Sequence, residues 1–295
     1  MPKQTFLRDL GDTLSLVKLL LRPGKNRPDL VYDLLSDRSH LGDRTLYLNL
    51  GYWDGARDYD HACELLAREL AQAAHMGPDD EVLDVGFGFA DQDMYWAQAF
   101  KPKRIAGLNI TASQVRAARE RVRERGLENR IALHVGSAMQ MPFASGSFDK
   151  VTALETAFHY NTREDFFREA FRVLKPGGLL ATADIIPREG IPVLGFAWRL
   201  GEYFGRSFWQ IPKDNMYTAD VYADKLRGAG FSQVNIRSIR EQVFEPFVSY
   251  SRRRLDDPVL IKRISPAMRA CWKASVWDNK PWSRYDYIIA TARKN

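Results

Sequence analysis

Three side chains able to handle protons stand close together in "ALETAFHYNTRED": Glu155, His159 and Tyr160. A second cluster lies upstream in "EVLDVGFGFADQD", residues 81–93, where an apolar run ends in Asp84 and is followed by Gly86 and Gly88. Ala90 stands where a third glycine would approach a dinucleotide fingerprint. A glycine turn lets backbone come close to a ligand and aims helix N–H groups at it. A pyrophosphate would sit on that helix N-terminus, but Asp91 and Asp93 fall in the first turn and would repel it. Asp84 suits an ammonium group. The ligand these residues imply is cationic or zwitterionic and carries a ribose. His159 is suited to accept a proton, because an unperturbed imidazole titrates near ~6.5.

The elements that position these residues follow from periodicity. Buried strands are predicted at "EVLDVG", "RIAGLNI", "IALHVG", "FDKVTALE", "LLATADII", "FSQVNIRSI" and "YDYIIATAR". The amphipathic helix "DHACELLARELAQAAHM" precedes the first strand, and helices such as "TASQVRAARERVRERG" and "TREDFFREAFRVLKPGG" alternate with the strands that follow. Strands alternating with helices predict an α/β fold, a doubly wound, mostly parallel seven-stranded sheet. The segment carrying Glu155, His159 and Tyr160 then lies at the carboxyl end of the fourth strand, where open α/β sheets bind ligands.

The alternation lapses in two places. Residues 187–216 are rich in aromatics, and Trp198, Phe204, Phe208 and Trp209 are expected to form a lid over an apolar acceptor, although the same spacing suits a packed helix. Residues 241–282 form a second insertion. The expected organisation is an N-terminal helical cap (1–60), a ligand-binding core (61–186), the lid (187–216), core again (217–240), the second insertion and a final strand (283–295). Residues 5–21 place Phe6, Leu10, Leu14, Val17 and Leu21 on one helical face, which either packs on the domain or touches a membrane surface.

Two cysteines, Cys63 and Cys271, make neither a disulfide framework nor a zinc site, so a cytoplasmic setting and no metal are expected. Of the formal charge of +6, the basic excess falls on residues 191–295, with 18 Lys/Arg against 10 Asp/Glu. It lacks the aromatic interleaving of a single-strand binder, so no nucleic acid is expected. Arg199, Arg206, Lys213 and Arg252–Arg254 suggest a basic mouth for an anionic acceptor; a solvated basic surface is the alternative.

"VLDVGFGFAD", "MPFASGSFDKV" and "FREAFRVLKPGGLLATAD" resemble, in order, the motif I turn, the approach to the fourth strand, and the fourth helix with the fifth strand of class I S-adenosylmethionine (SAM)-dependent methyltransferases. "YLNLGYWDG" resembles an upstream element of the subgroup that modifies small molecules. The resemblance implies SAM as cofactor and S-adenosylhomocysteine as product. Asp84, Gly86 and Gly88 would line the methionine end, with Asn109, Ile110 and Gln114 at the ribose and Ser137, Ala138 and Met139 at the adenine. Asn109 and Ser137 depart from the acids common there. Tyr47, Asn49, Gly51, Tyr52 and Trp53 would fold over the sulfonium, which an aromatic face suits. His159 matches a general base proposed for sugar and phenol O-methyltransferases, with Glu155 and Tyr160 beside it.

The expected function is methylation of a hydrophobic small molecule: a polyketide, phenol, sugar, sterol or prenyl lipid. Oxygen is favoured as the acceptor atom; the alternatives are C-methylation of an isoprenoid diphosphate or lipid, and a non-catalytic membrane-associated scaffold. An RNA or protein methyltransferase would show an N-P-P-Y-like or cysteine motif after the fourth strand, where "LETAFHY" stands.

Overall fold

The computed structural model describes residues 40–190, 211–277 and 282–295. The helix expected over 5–21, and Trp198, Phe204, Phe208 and Trp209, lie outside the described residues.

Seven strands form one sheet: β1 (Glu81–Val85), β2 (Arg104–Asn109), β3 (Ile131–Val135), β4 (Phe148–Leu154), β5 (Leu174–Pro187), β6 (Ser232–Ser238) and β7 (Tyr285–Arg293). Their order is β3-β2-β1-β4-β5-β7-β6, with β7 antiparallel to both neighbours and the other pairings parallel. β1 therefore pairs with β2 on one side and β4 on the other, and the order reverses there. Such a switch point opens a crevice beyond the carboxyl ends of the strands.

Both faces of the sheet are covered, which is why its central strands read as near-continuous apolar runs. Val82, Ile105 and Leu154 belong to one core, with α1 (Tyr59–Ala73), α2 (Asp91–Ala99) and α3 (Ala112–Glu124). Leu83, Val85 and Val151 belong to the other, with α4 (Arg163–Val173) and α5 (Ala219–Gly228). α4 starts in a capping box, Thr162 and Asp165 satisfying each other's backbone N–H.

Residues 240–276 form α6 (Arg240–Arg254), α7 (Pro258–Arg263) and α8 (Pro266–Val276). They pack on the face of α1, where Tyr250 lies 4.9 Å from Trp53 and 6.0 Å from Tyr59 between ring centroids. Two of the six residues expected at a basic mouth have structural partners instead, while Lys213 and Arg253 are exposed and Arg199 and Arg206 lie outside the described residues. Arg254 is buried and pairs with Asp43 and Asp257, while Arg252 donates to the carbonyls of Val276 and Trp277. Both arginines hold helices together. Among the described residues, no helix is long and apolar enough to cross a membrane.

Candidate active site

A cavity of about 290 Å³ opens at the switch point. Its floor is the turn after β1. Gly86 has φ +83°, and a Cβ there would lie 2.2 Å from the Thr156 hydroxyl, so only glycine fits. Gly88 has φ +57°, and a Cβ there would make only an ordinary contact with Leu48 at 3.6 Å, so conformation alone calls for glycine. Ala90 also takes the left-handed region, at φ 64°, as N-cap of α2. The third position of the turn thus keeps a glycine-like backbone under an alanine, at ~1–2 kcal/mol of strain.

The expectation that Asp84 lines the cavity is not met. It is fully buried one layer below, its two oxygens accepting from Thr152 Oγ1 and Gln92 Nε2, each at 3.0 Å. Gln92, between it and the space above, lines the wall instead. Burial lifts the Asp84 carboxyl to about 7, and burial plus the Asp84 charge lifts buried Asp93 well above the usual range, so the pair retains a proton. Asp91 is held by Arg121 through two contacts of 2.6 Å. Neither Asp91 nor Asp93 lines the cavity.

At the next strand end, Asn109, Ile110 and Gln114 line the cavity. Asn109 Nδ2 donates to Gln114 Oε1 at 2.9 Å, and its Oδ1 accepts from Thr111 N. This leaves Gln114 Nε2 and Thr111 Oγ1 buried without a protein partner. Buried polar groups left in this state at a cavity wall await a ligand or water. Ser137, Ala138 and Met139 form the neighbouring rim, where Ser137 Oγ accepts from Met139 N at 3.2 Å.

Tyr47 and Asn49 reach the cavity from the N-terminal side, but Tyr52 and Trp53 do not line it. Gly51 has φ +78° and sits against Ala62. The Tyr52 backbone N–H donates to Ala62 O, and the Trp53 indole donates to Leu50 O and packs on Tyr250. The turn at Gly51 thus sends the two aromatics toward α1 and α6, correcting the expectation that they cover the sulfonium.

Beside the glycine turn, at the end of β4, Glu155, His159 and Tyr160 line the cavity. Glu155 is left-handed at φ 50°. Its Oε1 accepts from Leu50 N at 2.7 Å and from the Tyr287 hydroxyl at 2.6 Å, and burial raises its carboxyl to about 7. His159 ends a short 3-10 turn (Ala157–His159), is buried, and lies 4.1 Å from Phe158 between ring centroids. The Tyr160 hydroxyl donates to Val85 O at 3.1 Å, joining the two strand ends.

Known proteins of this design bear on the cavity's chemistry. A family profile described as a methyltransferase domain matches residues 83–182. Erythromycin 3''-O-methyltransferase of Saccharopolyspora erythraea is 40% identical, over 99% of this chain and 98% of that protein. The chain is a class I SAM-dependent methyltransferase. A further relative, the 27-O-demethylrifamycin SV methyltransferase of Amycolatopsis mediterranei, is 32% identical over 57% of this methyltransferase and 61% of its own length. Among solved structures, the cyclase SpnF matches with a TM-score of 0.67 at 27% identity, covering 84% of this chain and 88% of its own. The geranyl diphosphate C-methyltransferase of Streptomyces coelicolor A3(2) matches with a TM-score of 0.69 at 16% identity, over 93% and 100%, a likeness of fold.

The cavity of this methyltransferase fits SAM on its own chemistry. Gln114 Nε2 and Thr111 Oγ1 are suited to ribose hydroxyls, and the turn at Gly86 and Gly88 leaves backbone open where a side chain would intrude. Sequence reasoning missed Gln92, Thr111 and Thr156. Gln92 carried a local signal, an amide in the first turn of the helix after the glycines; the other two carried none.

Proposed function

We propose that this methyltransferase transfers the methyl group to a hydroxyl of an elaborated macrolide, the acceptor class named by its 40%-identical relative. SAM supplies the electrophilic methyl. The backbone at Gly86 and Gly88 would lie against its methionine end, Asn109, Gln114 and Thr111 would take the ribose, and Ile110 with residues 137–139 would enclose the adenine. His159 takes the acceptor's hydroxyl proton as general base. Tyr160 and Glu155 hold the walls on either side: Tyr160 ties its turn to β1, and Glu155 fastens the Leu50 backbone and Tyr287. Asp84 acts from behind, through Gln92.

The observation that carries this reading is His159, a buried imidazole on the cavity wall just after β4. The acceptor is hydrophobic; Trp198, Phe204, Phe208 and Trp209, whose sequence pattern suits a lid over it, lie outside the described residues. Contact of residues 5–21 with a membrane, and an anionic acceptor, are secondary readings; the buried Arg254 weakens the second. Two free thiols, Cys63 and Cys271, agree with a cytoplasmic reaction.

The test is turnover of an erythromycin bearing a free 3''-hydroxyl, with SAM, followed by mass spectrometry. A product heavier by one methylene supports the acceptor class. In the same assay His159→Ala should lower kcat by about 10²–10⁴-fold with SAM affinity retained. Near-normal turnover by that variant would remove His159 as the base, and methylation at carbon alone would remove the hydroxyl reading.

A further inference from the structure

The short turn that carries His159 is three residues of 3-10 helix closed by two backbone hydrogen bonds, from His159 N to Thr156 O at 3.0 Å and from Tyr160 N to Ala157 O at 3.2 Å. A further hold on it comes from far along the chain. Asn215, 1% exposed, is the one buried residue of the 3-10 turn Lys213–Asn215. Its side-chain amide donates to Phe158 O at 3.1 Å and to Tyr160 O at 2.6 Å, the two carbonyls that flank His159. Its Oδ1 accepts from Arg163 N at 3.0 Å.

Asn215 is itself anchored. The Arg163 guanidinium donates to the Asn215 carbonyl, to Asp184 Oδ2 at 2.9 Å and Oδ1 at 3.2 Å, and to Ile185 O at 2.8 Å. Tyr222 donates to Asp184 Oδ2 at 3.1 Å and shares a hydrogen bond with Thr182 at 2.9 Å. Arg163 and Asp184 are 1% and 0% exposed, so this frame is dry and each member has its partners. The frame grips β5 and the start of α4 and reaches the His159 turn through one side chain.

We propose that Asn215 is a positioning residue for His159. By clamping both carbonyls that flank it, Asn215 sets the direction in which the imidazole faces the cavity. Asn215 does not line the cavity, so it acts through the turn. The inference rests on the reading of His159 as general base.

The experiment is a double-mutant cycle of Asn215→Ala and His159→Ala, assayed with SAM and erythromycin bearing a free 3''-hydroxyl, with SAM affinity measured by calorimetry. A displacement of about 1 Å at a reacting group can cost ~10²-fold. Asn215→Ala should therefore lower kcat by ~10²-fold with SAM affinity within ~3-fold, and should cost little more once His159 is already alanine. Asn215→Asp keeps the acceptor for Arg163 N and loses the paired amide donors; it should fall with the alanine variant, and it stands in if the alanine variant does not fold. Losses that multiply in the double mutant would overturn the proposal, because a merely structural residue lowers activity whether or not the base is present. Wild-type kcat in Asn215→Asp would overturn it as well, leaving the base reading intact. Full activity in His159→Ala would instead remove the base reading and this inference with it.

Discussion

The two walls of the cavity are built in different ways. The wall above β1, β2 and β3 is made by backbone and neutral side chains: Gly86 and Gly88 in left-handed conformations, the Asn109–Gln114 pair, and the 137–139 rim. Its contacts span fewer residues, five from Asn109 to Gln114, two from Ser137 to Met139 and 21 from Asn109 to Gly88. The wall above β4 and β5 is made by buried ionisable groups tied across the chain, with Glu155 reaching 105 residues to Leu50 and 132 to Tyr287. A wall that holds a constant ligand can be a local motif. A wall that must aim a base depends on partners the fold brings from elsewhere.

The largest expected break in this contrast is at Asp184. Asp184→Ala leaves the Arg163 guanidinium buried without its carboxylate, and removing one member of a buried pair costs ~3–5 kcal/mol. Denaturant unfolding should show a loss of that size. A loss under about 1 kcal/mol would mean that water enters the frame and the acceptor wall is no drier than the rest. On the cofactor wall, Gly86→Ala adds a Cβ 2.2 Å from the Thr156 hydroxyl in a left-handed backbone. A strain of about 2 kcal/mol read as binding is roughly 30-fold in SAM affinity. Calorimetry showing unchanged affinity would indicate that the turn adjusts freely.

The same contrast explains what was legible in the sequence. The seven strands, the glycine turn and the residues after β4 could be read because each depends on neighbours along the chain. The reversal of β7 could not, since an alternating apolar strand does not state its direction. Asp84 was placed on the cavity because its position beside the glycines is right; that Gln92 would cover it depends on the rotation of α2. The aromatic character of Tyr52 and Trp53 suits the sulfonium, yet the Tyr52 backbone N–H is tied to Ala62 O and the Trp53 ring packs on Tyr250. Asn215 sits in a polar turn, "PKDN", with no periodic signal, and its partners are 52 to 57 residues away.

A smaller change sharpens the comparison on the cofactor side. Gln114→Leu removes the buried Nε2 that has no protein partner and also an acceptor for Asn109. SAM affinity should fall by roughly tenfold, since a net hydrogen bond is worth ~0.5–1.5 kcal/mol. Thermal stability without SAM should change little, as one unpaired buried donor is lost along with one bond. A large drop in melting temperature with unchanged SAM affinity would make Gln114 a structural residue of α3.

The smallest expected effect, and the one that separates a brace from a base, is at Glu155. Burial raises its carboxyl to about 7 from an ordinary value near 4.5. The folded state therefore holds the proton more tightly than the unfolded chain does. That contribution to stability is fully present below about pH 4.5 and is lost as pH rises through about 7. Glu155→Gln keeps an Oε1 acceptor for Leu50 N–H and the Tyr287 hydroxyl but cannot ionise. Melting temperatures of the two proteins should diverge in the variant's favour as pH rises from about 4.5 to about 7, the window between the ordinary and the raised value, and stay apart above it. Asp84 and Asp93 are raised in the same direction and remain in both proteins, so the difference isolates Glu155. A gap that does not change with pH would mean that the carboxyl ionises without cost in the fold. Turnover decides the other half: a brace keeps kcat within a few-fold in Glu155→Gln at pH 8, whereas a loss of ~10² or more would put Glu155 in the path of the proton and reduce His159 to its partner.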